Sequence, residues 1–318
     1  MLDSTGKTAN YLKLGLLNIN SFKECSEDRT LELNNIFTTN RAHIYILTET
    51  KLTKEKSNKF HQHYLGKLWF HSTATTDDAS AGVSMAYDAL LGNACKLDVH
   101  PDLHSRVLAV HFKQQEIPSS AASPAFFQNT KSHSFIILGI YAPATATIPE
   151  KRRFFDLVFS TRTRLQDENK CEVILAGDFN TTIGSLDVYM RDFECDYQNP
   201  SSISKHISAQ MDKCSYFHPF ELVLRRCPWN KYLTFECTTD ISINKKSAKG
   251  IDHFLFPSHM EHRVFDLTIS DDFFAGSKHK PVFIYVKDLM VLPLSERKAP
   301  VMVPLAVWND VNFVNKSN

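Results

Sequence analysis

The cysteines of this chain lack two things: an even count and any C-x-x-C pair. Seven are present (Cys25, Cys95, Cys171, Cys195, Cys214, Cys227 and Cys237), which argues against both a disulfide framework and a structural zinc site. A reducing compartment is the expectation. Charge of one sign is lacking too. With 36 basic residues against 35 acidic ones, a nucleic-acid partner would have to be held by local clusters, not by overall attraction. The first twenty residues have no basic start, long apolar stretch or small-residue cleavage site, and no run approaches the roughly 20 apolar residues of a membrane span. These absences lead us to expect a soluble, intracellular protein without a membrane partner. No repeat of solenoid length is found. Apolar bulk is what the chain does have: 43% of its 318 residues are hydrophobic, enough for one large core or two modest ones.

That bulk comes in short runs. Residues 12–19, 43–47, 82–87, 106–112, 135–141, 173–176, 251–256 and 282–286 each have the length and composition of a strand. Residues 27–41 carry early acidic residues and then Leu33, Ile36 and Phe37 at helical spacing. Pro149 suits the first turn of a second helix reaching about Asn169, with Phe154, Phe155, Val158 and Leu165 as its apolar stripe. Its other face is basic (Lys151, Arg152, Arg153, Arg162, Arg164) and reads as solvated surface. Strands follow one another from 82 to 141 with only loops between, which predicts antiparallel pairing, and helices flank them. The prediction is a mixed α/β domain over residues 11–288, with tails at 1–10 and 289–318 and a loop insertion at 114–133.

Polar residues gather where these runs end. Asn18 and Asn20 close the first, Glu49 follows the second, and Tyr141 ends "GIY" before Ala-Pro. In "AGDFN", Asp178 and Asn180 stand two apart, which on a continuing strand would put them side by side. Asp252 opens "DHFLF", and His279 precedes the last strand. A hard cation needs oxygen ligands, an attacking water needs a base, and a developing anion needs donors; these residues supply all three. Each also has a plainer reading. Asp and Asn are ordinary turn residues, an isolated Glu is usually surface, and an isolated His is usually satisfied or solvated.

Taken in order, Asn-x-Asn, Thr-Glu-Thr, Tyr-Ala-Pro, Gly-Asp-Phe-Asn, Ile-Asp and Ser-x-His-x-Pro-Val resemble the endonuclease/exonuclease/phosphatase superfamily over nearly nine-tenths of the chain. "IYAPAT", "LTFE" and "GIDHFLF" look most like the apurinic/apyrimidinic-type endonuclease domain of LINE-type non-LTR retrotransposons. The resemblance implies a four-layered α/β sandwich, with two face-to-face, mainly antiparallel sheets flanked by helices. It also implies a Mg²⁺-dependent (or Mn²⁺-dependent) endonuclease that nicks DNA to leave a 3′-hydroxyl. By similarity Glu49 would be the principal metal ligand, with Asn18 beside the metal. Asp178 would align or deprotonate the water, Asn180 and Tyr141 would bond the phosphate, and His279, oriented by Asp252, would hold a phosphate oxygen. Thr234 would border the DNA-binding surface, and Lys249 and Lys278 would meet DNA. A reverse transcriptase domain in a longer polyprotein and a nuclear site of action belong to the same implication.

The sequence departs from the family at three places. Lys278 stands where the family has Asp: it would weaken metal binding, hold a DNA phosphate itself, or be offset by Asp271 or Asp272. Lys249-Gly250 stands where the retrotransposon enzymes have Ser-Arg or Ser-Lys ahead of Ile-Asp, so one substrate-facing serine is missing unless Ser247 takes its place. Ser21 replaces the glycine after the second Asn. The basic loop expected at 245–249 suits a nucleic-acid backbone, although such loops are usually just solvated. An impaired element copy, or a phosphatase or RNA nuclease of the same fold, is the alternative.

Overall fold

The computed structural model of the chain describes residues 11–21, 27–53, 55, 68–73, 81–88, 91, 93–113, 134–183, 188–191, 194–197, 200–226, 233–240, 245–270, 274 and 276–289. The insertion at 114–133, the N-terminal tail, all but the first residue of the C-terminal tail, and Asp271 and Asp272 lie outside the described residues. The elements in chain order are β1 (Tyr11–Asn18), α1 (Glu27–Asn40), β2 (Ile44–Thr48), β3 (Leu68–Ser72), β4 (Val83–Asp88), β5 (Asn93–Leu97), β6 (Val107–Lys113) and β7 (Phe135–Tyr141). Then follow α2 (Ile148–Asn169), β8 (Glu172–Asp178), β9 (Val188–Arg191), β10 (Glu194–Tyr197), α3 (Ser202–Cys214), β11 (Tyr216–Phe217) and α4 (Phe220–Arg226). The last are β12 (Phe235–Asp240), β13 (Lys245–Lys249), β14 (Asp252–Pro257), β15 (Val264–Ile269) and β16 (Val282–Lys287).

Two six-stranded sheets form the body. One runs β15-β16-β1-β2-β4-β3 and the other β11-β14-β8-β7-β6-β5. Each has a single parallel pair at its centre, β1 with β2 and β7 with β8, and antiparallel pairs elsewhere. A parallel pair needs a crossover to bring the chain back to its starting edge. Helices α1 and α2 provide it. Pro149 sits in the first turn of α2 as expected, and the Glu150 carboxylate accepts from the Thr147 N–H (2.8 Å) and hydroxyl (2.7 Å).

Strand alternation sorts the apolar residues into layers. Leu12, Leu14 and Leu16 of β1, Ile44 and Ile46 of β2, Ile137 of β7, Ile174 and Ala176 of β8, and Phe254 of β14 share one core between the sheets. The intervening residues Ile136, Leu138, Val173 and Leu175 face outward, where Phe155, Val158 and Leu165 of α2 and Ile203, Ile207 and Met211 of α3 cover them. Leu33, Ile36 and Phe37 of α1 cover Tyr45 and Leu47 on the other side. The result is helix, sheet, sheet, helix: the four-layered α/β sandwich.

Sequence and structure part in three places. Residues 245–249, expected as a basic loop, form strand β13, which pairs with β12 and β9 in a third, four-stranded antiparallel sheet ordered β10-β9-β13-β12. Arg162 does not belong to the solvated face of α2. It is buried, with Nε donating to the Tyr216 hydroxyl (2.7 Å) and its guanidinium 4.6 Å from that ring. The segment between β10 and β14 also contains α3 and α4, which its mixed composition did not announce.

Two glycines set how closely strands can approach. A Cβ on Gly177 would lie 1.9 Å from the Ile140 carbonyl oxygen of the neighbouring strand, and its φ is +158°. At Gly139 the same atom would meet Met85 Cε and Val83 Cγ1 at 2.9 Å. Backbone cannot move aside as a methionine tip can. Gly139→Ala is therefore expected to cost about 1–3 kcal/mol by overpacking, and Gly177→Ala more than that. Urea unfolding midpoints measure both, and equal losses would contradict this account of the packing.

Candidate active site

The residues that face the space between the sheets change from apolar to polar at one edge. Asn18 is in phase with Leu12, Leu14 and Leu16; Asp178 with Ile174 and Ala176; Tyr141 with Phe135 and Ile137; and Asp252 with Phe254 and Phe256. Asp252 lies directly opposite Asp178 across β14 and β8, and Tyr141 lies opposite Asp178 across β7 and β8. Four strands thus deliver four polar groups to one place. Asp178 and Asp252 are each 1% exposed.

Every oxygen of Asp178 is held. Asn18 Nδ2 donates to Oδ2 (2.9 Å) and the Asn180 N–H donates to Oδ1 (2.8 Å). The strand ends at Asp178, so Asn180 does not continue beside it as alternation would suggest. Asn180 adopts φ +48° and folds back, with Nδ2 donating to the Ala142 carbonyl (2.7 Å), while the Ala142 N–H donates to the Asp178 carbonyl (2.8 Å). "GDFN" is thus a turn, and its Asp178 carboxylate is buried beside Asp252 and His279. The two bonds with Ala142 tie Tyr-Ala-Pro to Gly-Asp-Phe-Asn in the folded chain.

Asp252 is the centre of a second set of bonds. Its Oδ2 accepts from His279 Nδ1 (2.8 Å) and from the Thr234 hydroxyl (2.7 Å), and Thr234 Oγ1 in turn accepts the Asp252 N–H (3.1 Å). Thr234, expected to border a DNA-binding surface, is fully buried, and its hydroxyl is committed to the carboxylate. Ser277 ties the His279 loop to β1, donating to the Asn18 carbonyl (2.6 Å) and accepting the His279 N–H (3.1 Å). The Phe235 ring packs on the imidazole at 4.8 Å.

Two of these groups titrate abnormally. Burial and the neighbouring Asp252 push Asp178 up to about 7, although His279, the Asn180 N–H and Asn18 oppose the shift. For His279 burial works against the charge, yet the contact with Asp252 and the charges of Asp178 and Glu49 together outweigh it and lift the group to about 9. At neutral pH an imidazolium therefore faces a carboxylate close to its titration point, Nε2 to Oδ2 4.0 Å. The Tyr141 phenol is raised by burial and by Glu49 and Asp178.

Glu49 stands at φ +55° just beyond β2, half-buried, with Lys51 Nζ on its Oε1 at 2.8 Å. Asp178, Asp252 and His279 each bring one ligand-type atom within 4.8 Å of the others. A protonated imidazole offers no lone pair, however, so the carboxylates are the part of the cluster that fits an ion. Oxygen donors suit a hard divalent ion such as Mg²⁺ or Mn²⁺.

Lys249 and Lys278 are exposed. Lys278 alternates with the buried Ser277 and His279, so the departure from the family pattern points away from the buried cluster. Ser21 sits at φ +96°, a conformation that favours glycine. The side chain of Ser247 lies outside the described residues. Arg106 was missed: its guanidinium lies 5.3 Å from the Tyr141 ring and donates to the Tyr141 carbonyl (3.4 Å). Its position just before a strand was the available signal.

No protein-family model and no curated protein matches the sequence. Solved structures do match in fold. An AP endonuclease from Leishmania major superposes with TM-score 0.66 at 14% identity, over 90% of this chain and 91% of that one. An AP endonuclease from Archaeoglobus fulgidus gives 0.60 at 16% over 87% and 99%, and a 3′ phosphatase from Neisseria bound to product DNA hairpin gives 0.58 at 17% over 86% and 99%.

The two titrations shift stability in the same direction. Between about pH 4 and 7 the folded protein keeps the Asp178 proton that the unfolded chain has lost, so stability falls as pH rises. The His279 contribution is complete below the unfolded value of 6.5 and is lost as pH rises through about 9. In EDTA, Asp178→Asn should flatten the lower part of the decline in thermal midpoint and His279→Gln the upper part. Curves parallel to wild type would contradict these assignments.

Proposed function

We propose that this chain is a metal-dependent DNA endonuclease that hydrolyses a phosphodiester and leaves a 3′-hydroxyl, of the kind that nicks target DNA for a retrotransposon's reverse transcriptase. The observation that carries the reading is the buried pairing of Asp178 with the Asp252–His279 couple across 4.0 Å. Few structural needs justify burying two carboxylates together, whereas a hydrolytic site needs a base and a fixed cation side by side.

In this reading Asp178, held by Asn18 and the Asn180 N–H, takes a proton from a water. The water oxygen bonds to phosphorus, the P–O3′ bond breaks, and the departing 3′-oxygen takes up a proton from solvent. His279 donates from Nε2 to a non-bridging phosphate oxygen as charge builds there, with Asp252 fixing its tautomer. Tyr141 and Asn180 add neutral donors at the same phosphate. A Mg²⁺ or Mn²⁺ ion held by Glu49, with Asn18 beside it, would neutralise charge on the scissile group. Lys249 and Lys278 lie outside the buried cluster and would meet flanking DNA phosphates. Nuclear action and a reverse transcriptase domain in the same polyprotein belong to this reading through the sequence resemblance.

Purified protein in Mg²⁺ is expected to convert supercoiled plasmid to open circle, with EDTA abolishing the conversion and Asp178→Ala slowing it about a hundredfold or more. Lys278→Asp should weaken binding and lower the salt slope by about one without lowering kcat. Folded protein that leaves plasmid intact in both Mg²⁺ and Mn²⁺ contradicts the reading.

A further inference from the structure

The residue after Asp252 turns the other way. His253 faces the outer core, fully buried, with its ring edge-on to Phe179 at 5.3 Å. Its Nε2 lies 2.9 Å from the Thr181 carbonyl, and its Nδ1 lies 3.0 Å from Nε2 of His218, which is also fully buried. The partners fix both tautomers. A carbonyl only accepts, so His253 carries its hydrogen on Nε2 and presents Nδ1 as an acceptor. The Phe220 N–H donates to His218 Nδ1 at 3.1 Å, which leaves His218 Nε2–H to donate to His253. One directional chain of hydrogen bonds therefore runs from the start of α4 through two imidazoles to the loop that leaves β8.

We propose that His253 is a positioning residue for the hydrolysis: by holding the Thr181 carbonyl it fixes the Asn180 turn, and through that turn the orientation of the Asp178 carboxylate. The proposal rests on the hydrolytic reading above. Asn180 occupies a left-handed conformation, which asparagine tolerates, and the turn around it is held from two sides. The pins on one side are the Asp178 carboxylate and the Ala142 carbonyl, and on the other side the pin is His253. Without the last, the turn is free to relax, and Asp178 Oδ1, the acceptor of the Asn180 N–H, turns with it. β14 thus serves the site with two successive residues: Asp252 orients His279 on one face, and His253 orients the Asp178 loop on the other. His218 supports the arrangement by selecting the tautomer of His253.

The test uses the full chain with His253→Phe, which keeps the ring against Phe179 but has no donor, and His253→Gln, whose amide restores an N–H near the Nε2 position. Plasmid nicking gives kcat and KM separately, and hydrogen exchange reports on residues 179–183. His253→Phe should lower kcat about tenfold to a hundredfold with KM nearly unchanged, and raise exchange in that segment. His253→Gln should recover most of both. If the phenylalanine variant does not fold, His253→Met replaces it. A Phe variant with wild-type kcat, or Phe and Gln variants that lose activity equally and in step with their thermal midpoints, overturns the proposal. If wild type does not nick DNA, the hydrolytic reading falls separately, and unchanged exchange at 179–183 in the Phe variant would still remove the clamp.

Discussion

Two sheets that share one interior place a constraint on every strand that enters it. Each must keep its apolar residues in phase with the opposing sheet, and wherever the apolar run stops, the next in-phase residue is delivered to the same edge. Asn18, Tyr141, Asp178 and Asp252 are such residues. The same alternation that builds the core therefore builds the site. A one-residue slip of β8 or β14 would swap a carboxylate for a helix-facing side chain, so folding and site assembly cannot be separated. The central packing of β7 and β8, with Gly177 pressed against the Ile140 carbonyl, holds that register.

The site buries charge at a cost, and its geometry limits that cost. Two carboxylates face each other across β8 and β14, yet every described polar contact around them is a donor aimed inward: Asn18, the Asn180 N–H, the Thr234 hydroxyl and His279 Nδ1. Burial and Asp252 raise Asp178, while Asp252 keeps His279 charged. Both groups are shifted upward, which leaves Asp178 near its titration point beside a charged imidazolium within a single cluster. Glu49, just beyond β2 and paired with Lys51, adds to the field of the cluster: its charge raises both Tyr141 and His279.

Much of the body was legible in the sequence because its signals are local. The runs at 135–141 and 282–286 became strands with the same bounds or within one residue, and α1 and α2 began and ended close to where their apolar spacing placed them. Asp178, Asp252 and His279 were legible as strand-end polar residues. Their convergence was legible only through the family resemblance and not from the residues themselves, since it depends on pairings between residues far apart in the chain. The third sheet was missed because strands such as "VYMR", "ECDY" and "KKSAK" are short and polar, with no alternation to read. Arg162 reads as surface until Tyr216, 54 residues later, is seen beside it. His253 was overshadowed by Asp252, and only His218 and Thr181 reveal its role.

The proposed hydrolysis comes down to one event: a water directed by Asp178 attacks phosphorus, and the 3′-oxygen leaves. Nicking a DNA duplex in ¹⁸O-labelled water and analysing the new termini by mass spectrometry tests it most directly. The account predicts a single ¹⁸O in the 5′-phosphate and an unlabelled 3′-hydroxyl that a polymerase extends. A 3′-phosphate terminus, or a 5′-phosphate without the label, would contradict it.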